Sequence, residues 1–245
     1  MSNVIVTVLH SLIWYFTAIL SLLLCTPFLI LAKIKLRTLN PEEYNRYIHR
    51  IVSSWAYFNV KTSGAKFKID GLENIPKDKA VVFVSNHQGD FDIAAFLAFL
   101  PVPHGYVAKI EITQIPLVRG WMKSMRCVFI DRKSLRQTAG AMSQGIKTLA
   151  EGHSLVLFPE GTRSKSDTMG EFKVASFKLA TKAKVPIVPV SINGTYQIME
   201  ANKGLIKPAN VYVKIHPAIP TDNISIEDAT MLPGQVSDII KKGLL

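Results

Sequence analysis

The first 32 residues of the chain carry no charged side chain. Asn3 to Ala32 is an almost unbroken apolar run, interrupted by His10, Ser11, Thr17, Ser21 and Thr26. At about 1.5 Å per residue, a helix of that length is enough to cross a hydrocarbon core of roughly 30 Å. It makes a poor secretory signal, because no Lys or Arg precedes it and the apolar stretch is too long. Lys33, Lys35 and Arg37 follow at once, which predicts that everything downstream is cytoplasmic. Pro27 is expected to kink the last turn or two. Length alone permits either a full crossing or a path within one leaflet.

The next segment differs in kind. Asn40-Pro41 is a helix start signal, with Glu42 and Glu43 in the first turn. Tyr44, Tyr47, Ile48, Ile51, Val52, Trp55 and Phe58 follow at spacings of three and four, opposite Asn45, Arg46, His49 and Arg50. Such a stripe suits a helix lying in the headgroup region, with docking on a soluble core as the alternative. Residues 1–62 are therefore read as an N-terminal two-helix membrane anchor, with Ser63-Gly64 as the junction to residues 63–245.

That remainder is long enough for one globular core without disulfides or metals. Cys25 and Cys127 are far apart and form no C-x-x-C pair, so reduced thiols are the plain reading. Lys and Arg number 29 against 18 Asp and Glu, a net charge of +11, and a basic chain seeks anionic partners. The charge is dispersed, with no block of five or six and no aromatic RNA-recognition motif. Nucleic acid is therefore not expected.

Strand-like runs are Lys66–Ile69, Ala80–Ser85, Cys127–Ile130, Leu155–Phe158, Ile187–Ile192 and Val211–Ile215. Helical periodicity appears at Asp92–Leu100, Leu135–Ala150 and Phe172–Ala183, with Gly152 where a C-terminal cap belongs. Strands alternating with helices predict an α/β fold, a mixed and largely parallel sheet flanked by helices. Val185-Pro186-Ile187-Val188-Pro189-Val190 reads as a strand at an edge or bulge. The tail from Ser225 has weak helical character, interrupted at Pro233-Gly234.

Two constellations carry chemistry. Strand Ala80–Ser85 runs into Asn86-His87-Gln88-Gly89-Asp90-Phe91-Asp92, and the carboxyl ends of strands are where α/β sheets place catalytic groups. Within one helix, His87 and Asp92 would point roughly 140° apart. With a turn at Gly89, the carboxylate can fold back onto the imidazole, fix one ring nitrogen as N–H and leave the other as a base. No G-x-S-x-G elbow occurs and no reactive cysteine is evident, so the hydroxyl to be deprotonated is assigned to the substrate. The second constellation ends strand Leu155–Phe158, in Pro159-Glu160-Gly161-Thr162-Arg163-Ser164. Its arginine fork matches phosphate oxygens, and Glu160 beside it is expected to orient the guanidinium or touch the substrate. Alone, the first motif is also what a capped helix start looks like, and the second what an ion-paired loop looks like.

In this order, together with Val128-Phe129-Ile130-Asp131-Arg132 and the Val-Pro-x-x-Pro strand, these stretches resemble the glycerolipid acyltransferases. Within that family they are most similar to the bacterial 1-acyl-glycerol-3-phosphate acyltransferases. The resemblance covers about residues 66 to 195, and Phe158–Ser164 matches the family motif completely. One departure is Arg126, where many members have Gly before the strand. By resemblance, His87 is the general base and Asp92 its partner. Lys109 and Arg163 hold the acceptor's phosphate, Arg132 adds positive potential, and Glu160, Gly161 and Thr162 shape the acceptor pocket.

The resemblance further implies transfer of a fatty acyl chain from an acyl thioester to the sn-2 hydroxyl of lysophosphatidic acid, giving phosphatidic acid. The donor is acyl-CoA or acyl carrier protein thioester. The site faces anionic membrane lipid at the cytoplasmic face of the membrane, with residues 3–32 in one leaflet. No cofactor or metal is expected, since His10, His49, His104, His153 and His216 form no H-E-x-x-H or comparable ligand set. Glycerol-3-phosphate or another lysolipid stays open as the acceptor, and a non-catalytic basic membrane-binding protein stays open as the rival class.

Overall fold

The computed structural model describes residues 2–131 and 133–244, the side chains of Ser2, Asn3 and Leu135 apart. The apolar N-terminal run folds as α1 (Ser2–Leu24) and α2 (Thr26–Lys35). The break falls at Cys25, two residues ahead of Pro27, which has no N–H to donate and whose ring collides with the carbonyl four residues back. The kink expected near the end of the run is thus a break that leaves a ten-residue second helix. Val4–Lys35 is long and apolar enough to cross a membrane, and only 11% of its most apolar window is buried. Val4, Phe16, Leu24 and Ile34 point outward, away from any core.

Helix α3 (Pro41–Thr62) starts where the sequence says it should. Asn40 Oδ1 accepts from Glu43 N at 2.9 Å and Glu43 Oε2 accepts from Asn40 N at 3.3 Å, a reciprocal capping box. Much of its stripe is covered by protein, although Phe58 stays exposed. Tyr44, Ile48, Val52, Ala56 and Val60 are buried in the core shared with the sheet, and the helix packs against α4 (Phe91–Phe99). The helix is docked on the core, as in the alternative reading. Trp14 Nε1 donates to Asn59 O at 2.9 Å and Trp55 Nε1 to Ser21 Oγ at 3.1 Å, which fasten α1 to α3.

The strands are β1 (Lys66–Asp70), β2 (Val82–Ser85), β3 (His104–Lys109), β4 (Val128–Ile130), β5 (Ser154–Leu157), β6 (Ile187–Asn193) and β7 (Asn210–Ile215). They form one sheet in the order β1-β7-β6-β2-β5-β3-β4. Every neighbouring pair is parallel except β6–β7, so the mixed, largely parallel sheet is as expected. Helices α3, α4 and α5 (Pro116–Ser124) cover one face over Val81, Phe83, Val156 and Val188. Helices α6 (Leu135–Ala150), α7 (Lys178–Ala183) and α8 (Ile226–Lys242) cover the other over Val82, Val84, Leu155 and Ile187. Central strands buried on both faces read as continuous apolar runs, as these do.

Several local expectations need correction. Strand β6 is not an edge strand; it lies between β7 and β2. Its prolines are accommodated by a bulge, because Ile187 faces Ile219 while Val190 faces Ile215, three steps on β6 against four on the partner. Pro189 still accepts from His216 N at 2.9 Å. The periodicity at Phe172–Ala183 is a 3-10 turn, Val174–Phe177, followed by α7. Helix α8 runs through Pro233 unbroken, held by Leu232, Val236 and Ile240 against the sheet and by Ser191 Oγ donating to Ile240 O at 2.7 Å. Strand β3 and helix α5 are additions, the first opening on His104-Gly105 and the second only nine residues long with Gly120 inside. Arg126, the departure from the family's Gly, sits at φ +57°, the left-handed region that favours Gly, and its guanidinium pairs with Glu151.

Candidate active site

Strands β2, β5, β3 and β4 are adjacent and mutually parallel, so their carboxyl ends open on one edge of the sheet. His87 follows β2, the Pro159–Ser164 turn follows β5, and Lys109 ends β3. Arg132, just past β4, lies outside the described residues.

The loop after β2 is fixed by alternate residues. Buried Asn86 donates to and accepts from the backbone of Ile192, at 2.8 and 2.9 Å, and buried Gln88 Oε1 accepts from Gly194 N at 2.8 Å. Their anchoring turns the intervening His87 the other way. Asp92, fully buried in the first turn of α4, folds back as expected: its Oδ2 lies 2.7 Å from His87 Nδ1. The same oxygen accepts from Gln88 N at 2.6 Å and Gly89 N at 2.9 Å, while Oδ1 accepts from Thr195 Oγ1. A Cβ at Gly89 would lie 2.5 Å from Glu200 Oε2, so a larger residue there would push that carboxylate aside. The imidazole stacks on Phe158, ring centroids 4.0 Å apart and planes 17° from parallel. With Nδ1 committed to Asp92, Nε2 is the nitrogen left for chemistry, and His87 lines a cavity.

Glu160 is behind the site rather than beside the guanidinium. Its Oε1 accepts from His87 N at 2.6 Å and its Oε2 from Gly170 N at 2.7 Å. Burial, the largest cause, raises this carboxyl above the usual range against those two bonds. Ser164 N donates to His87 O at 2.8 Å and Lys165 N to Gln88 O at 3.0 Å, so the two motif loops are joined backbone to backbone. Arg163 pairs instead with Asp90 and, at 3.4 Å, with Glu200. Burial also raises the carboxyl of Glu200.

The cavity has a volume of about 640 Å³, and its lining includes His87, Lys109, Gly161, Thr162 and Arg163. Its walls are apolar: Ile51, Val52 and Trp55 of α3, Ile93 and Leu97 of α4, and Trp121 and Met122 of α5, with Leu22 of α1. Lys109 has no ion-pair partner among the described residues. A base and two cations in the lining of an otherwise oily chamber suit a substrate with an anionic head, a hydroxyl and a long alkyl chain.

Asn86, Gln88, Asp90, Phe158, Thr195 and Glu200 are the contributors that sequence reasoning did not single out. For Asn86 and Gln88 the signal was available, in two buried amides alternating with His87. Thr195 follows Asn193-Gly194, a turn at the end of β6. Glu200, 40 residues from Glu160 and inside a 3-10 turn (Glu200–Asn202), carries no local signal.

A profile of the family described as Acyltransferase matches residues 66–193. Over 172 residues the chain is 42% identical to a probable 1-acyl-sn-glycerol-3-phosphate acyltransferase of Mycoplasma pneumoniae, covering 68% of this chain and 62% of that protein. It is 32% identical to the 1-acyl-sn-glycerol-3-phosphate acyltransferase of Borreliella burgdorferi, covering 74% and 73% respectively. The crystal structure of the 1-acyl-sn-glycerophosphate (LPA) acyltransferase PlsC from Thermotoga maritima superposes with a TM-score of 0.85 at 30% identity, over 98% of this chain and 95% of that one.

Proposed function

This chain belongs to the acyltransferase family, alongside its 1-acyl-sn-glycerol-3-phosphate acyltransferases, and from that premise we propose that it acylates the sn-2 hydroxyl of 1-acyl-glycerol-3-phosphate to give phosphatidic acid. The observation that carries the reading is the His87–Asp92 pair, with His87 in the lining of a largely apolar cavity that also takes in Lys109 and Arg163.

In the proposed reaction the acceptor's hydroxyl oxygen attacks the carbonyl carbon of an acyl thioester. His87 Nε2 takes the hydroxyl proton as the new C–O bond forms. The C–S bond then breaks, and the proton passes from the imidazolium to the leaving thiolate, giving an ester and a free thiol. Asp92 holds Nδ1–H and so keeps the base in the useful tautomer. A positioned base contributes typically about 10²–10⁴-fold, and fixing the two reactants against each other contributes further. Lys109 and Arg163 therefore serve rate as well as affinity, because gripping the phosphate sets the hydroxyl relative to Nε2. Arg132 keeps the role that the resemblance gives it, adding positive potential for the phosphate. Gly161 and Thr162 line the acceptor's path, and Glu160 holds the backbone of His87 in register.

In this reading residues 1–62 are the attachment module, its helix α3 docked into the core of the acyltransferase domain, residues 63–245. Helices α1 and α2 seat the protein in one leaflet on the cytoplasmic side, where lysolipid enters the cavity laterally, and the net positive charge favours anionic lipid. The donor in this reading is acyl-CoA or acyl carrier protein thioester. The test is purified protein in lipid vesicles given each donor with 1-acyl-glycerol-3-phosphate or glycerol-3-phosphate, products identified by mass spectrometry. Phosphatidic acid is the expected product. Acylation of glycerol-3-phosphate alone would move the protein to another acceptor class, and no consumption of either thioester would end the enzymatic reading.

A further inference from the structure

Asp90 stands at the start of α4, where an aspartate ordinarily accepts a backbone N–H of the first helical turn. It makes no such bond. Its carboxylate is paired with Arg163 Nη1, and its own N–H donates to Glu200 Oε1 at 2.7 Å. Glu200 approaches the same guanidinium nitrogen, at 3.4 Å. The two carboxylates differ in one respect that decides their roles: the side chain of Glu200 is 4% exposed and that of Asp90 is 59% exposed. Glu200 sits close against Gly89, in space that a Cβ there would take. Asp90 is free to swing into water, and it lines the cavity together with Arg163, Lys109 and His87.

We propose that Asp90 is a placeholder for the acceptor's phosphate, occupying the Arg163 guanidinium until a phosphate displaces it, while Glu200 keeps that guanidinium aimed at the site. The inference rests on the reading of Arg163 as the phosphate grip. Asp90 touches no reacting atom; it sets specificity through Arg163. A phosphate dianion brings enough charge to replace one carboxylate on the guanidinium. A neutral hydroxylated lipid does not, so the pair stays closed against it, an opposing element built into the site. Two carboxylates on one arginine also keep the unoccupied guanidinium from collecting stray anions.

Asp90→Asn keeps the size of the side chain and removes its charge, so the KM for 1-acyl-glycerol-3-phosphate is expected to fall about fivefold. The change in kcat should be less than twofold. Inhibition by inorganic phosphate should tighten by a similar factor, and the KM for monoacylglycerol should not fall. Asp90→Ser, which places a neutral cap at the same helix start, guards against a folding defect in the first variant and should move the KM in the same direction. A merely structural role for Asp90 predicts the opposite sign, a KM that rises in both variants together with a lower Tm. The double variant Asp90→Asn with Arg163→Ala separates the two readings. If Arg163→Ala alone leaves the KM for the phosphorylated acceptor unchanged, the phosphate-grip reading fails. If Arg163→Ala raises that KM and Asp90→Asn does not lower it, the placeholder fails and the grip stands. Loss of the Asp90→Asn effect in the Arg163→Ala background is the result that supports both.

Discussion

Two carboxylates on the same loop, Asp90 and Asp92, are used in opposite ways. Asp92 is fully buried and accepts from four donors: the His87 ring, two backbone N–H groups and the Thr195 hydroxyl. Asp90 is largely exposed, makes no capping bond and is held by a guanidinium that Glu200 shares. A carboxylate with that many buried donors cannot be exchanged for a substrate group, whereas an exposed ion pair is weak enough to be traded. In the proposed reaction the first suits a proton-transfer group, which must be in place before substrate arrives. The second suits a binding group, which must give way when it does.

The comparison can be broken at several points. Asp92→Asn should cost the most, about 10³–10⁴-fold in kcat with little change in KM, because the amide favours the wrong tautomer of His87; steady-state kinetics on refolded, monodisperse protein would check it. A drop in that variant confined to KM would mean that the buried socket serves binding after all. Arg163→Ala should act mainly on KM for the phosphorylated acceptor, raising it about 10- to 100-fold, the range for a charge-assisted bond. Equal losses with monoacylglycerol would contradict the assignment. Thr195→Val removes one of the four donors to Asp92 and should lower kcat about tenfold while KM stays put; a KM effect would show that the socket and the binding rim are not separable.

Acid tests, by stability, a second kind of burial away from that loop. Burial, the largest cause, pulls His104 from 6.5 down to about 3 and His153 from 6.5 to about 4. A histidine with a lowered folded pKa binds fewer protons folded than unfolded, so its contribution is complete above about pH 6.5 and is lost as pH falls toward those values. Thermal melts should therefore show Tm declining from pH 6.5 to 4, with His104→Gln giving a flatter profile. A flat wild-type profile over that range would overturn the assignment of both rings as buried and neutral.

Much of this arrangement was readable in the residues. The alternation of strands and helices gave the layers, and the two strand-end motifs gave His87, Asp92 and Arg163. Capping at Asn40 and the Gly152 cap after α6 also follow from local chemistry. What was hidden depends on partners distant in sequence. Glu160 looked like a neighbour of Arg163, three residues away, but the turn points it back at His87 N. Glu200 meets the site only because β6 and the turn after it bring residue 200 beside residue 90. The stripe on α3 was correctly seen as apolar, yet periodicity does not say whether lipid or α4 will cover it. Pro233 was over-read, since the packing of Leu232 and Val236 outweighs one missing backbone bond.

Helix α3 has a practical consequence for handling the protein. It belongs to the common core, and with Ile51, Val52 and Trp55 it forms one wall of the chamber over His87. Cutting the chain at Ser63 to obtain a water-soluble fragment would unroof the chamber and leave Phe96 and Leu97 of α4 to solvent. A detergent-free form is better sought by repainting the outward surface of α1 and α2, at Val4, Phe16, Leu24 and Ile34, with polar residues, leaving the inner contacts of Trp14 and Ser21 untouched.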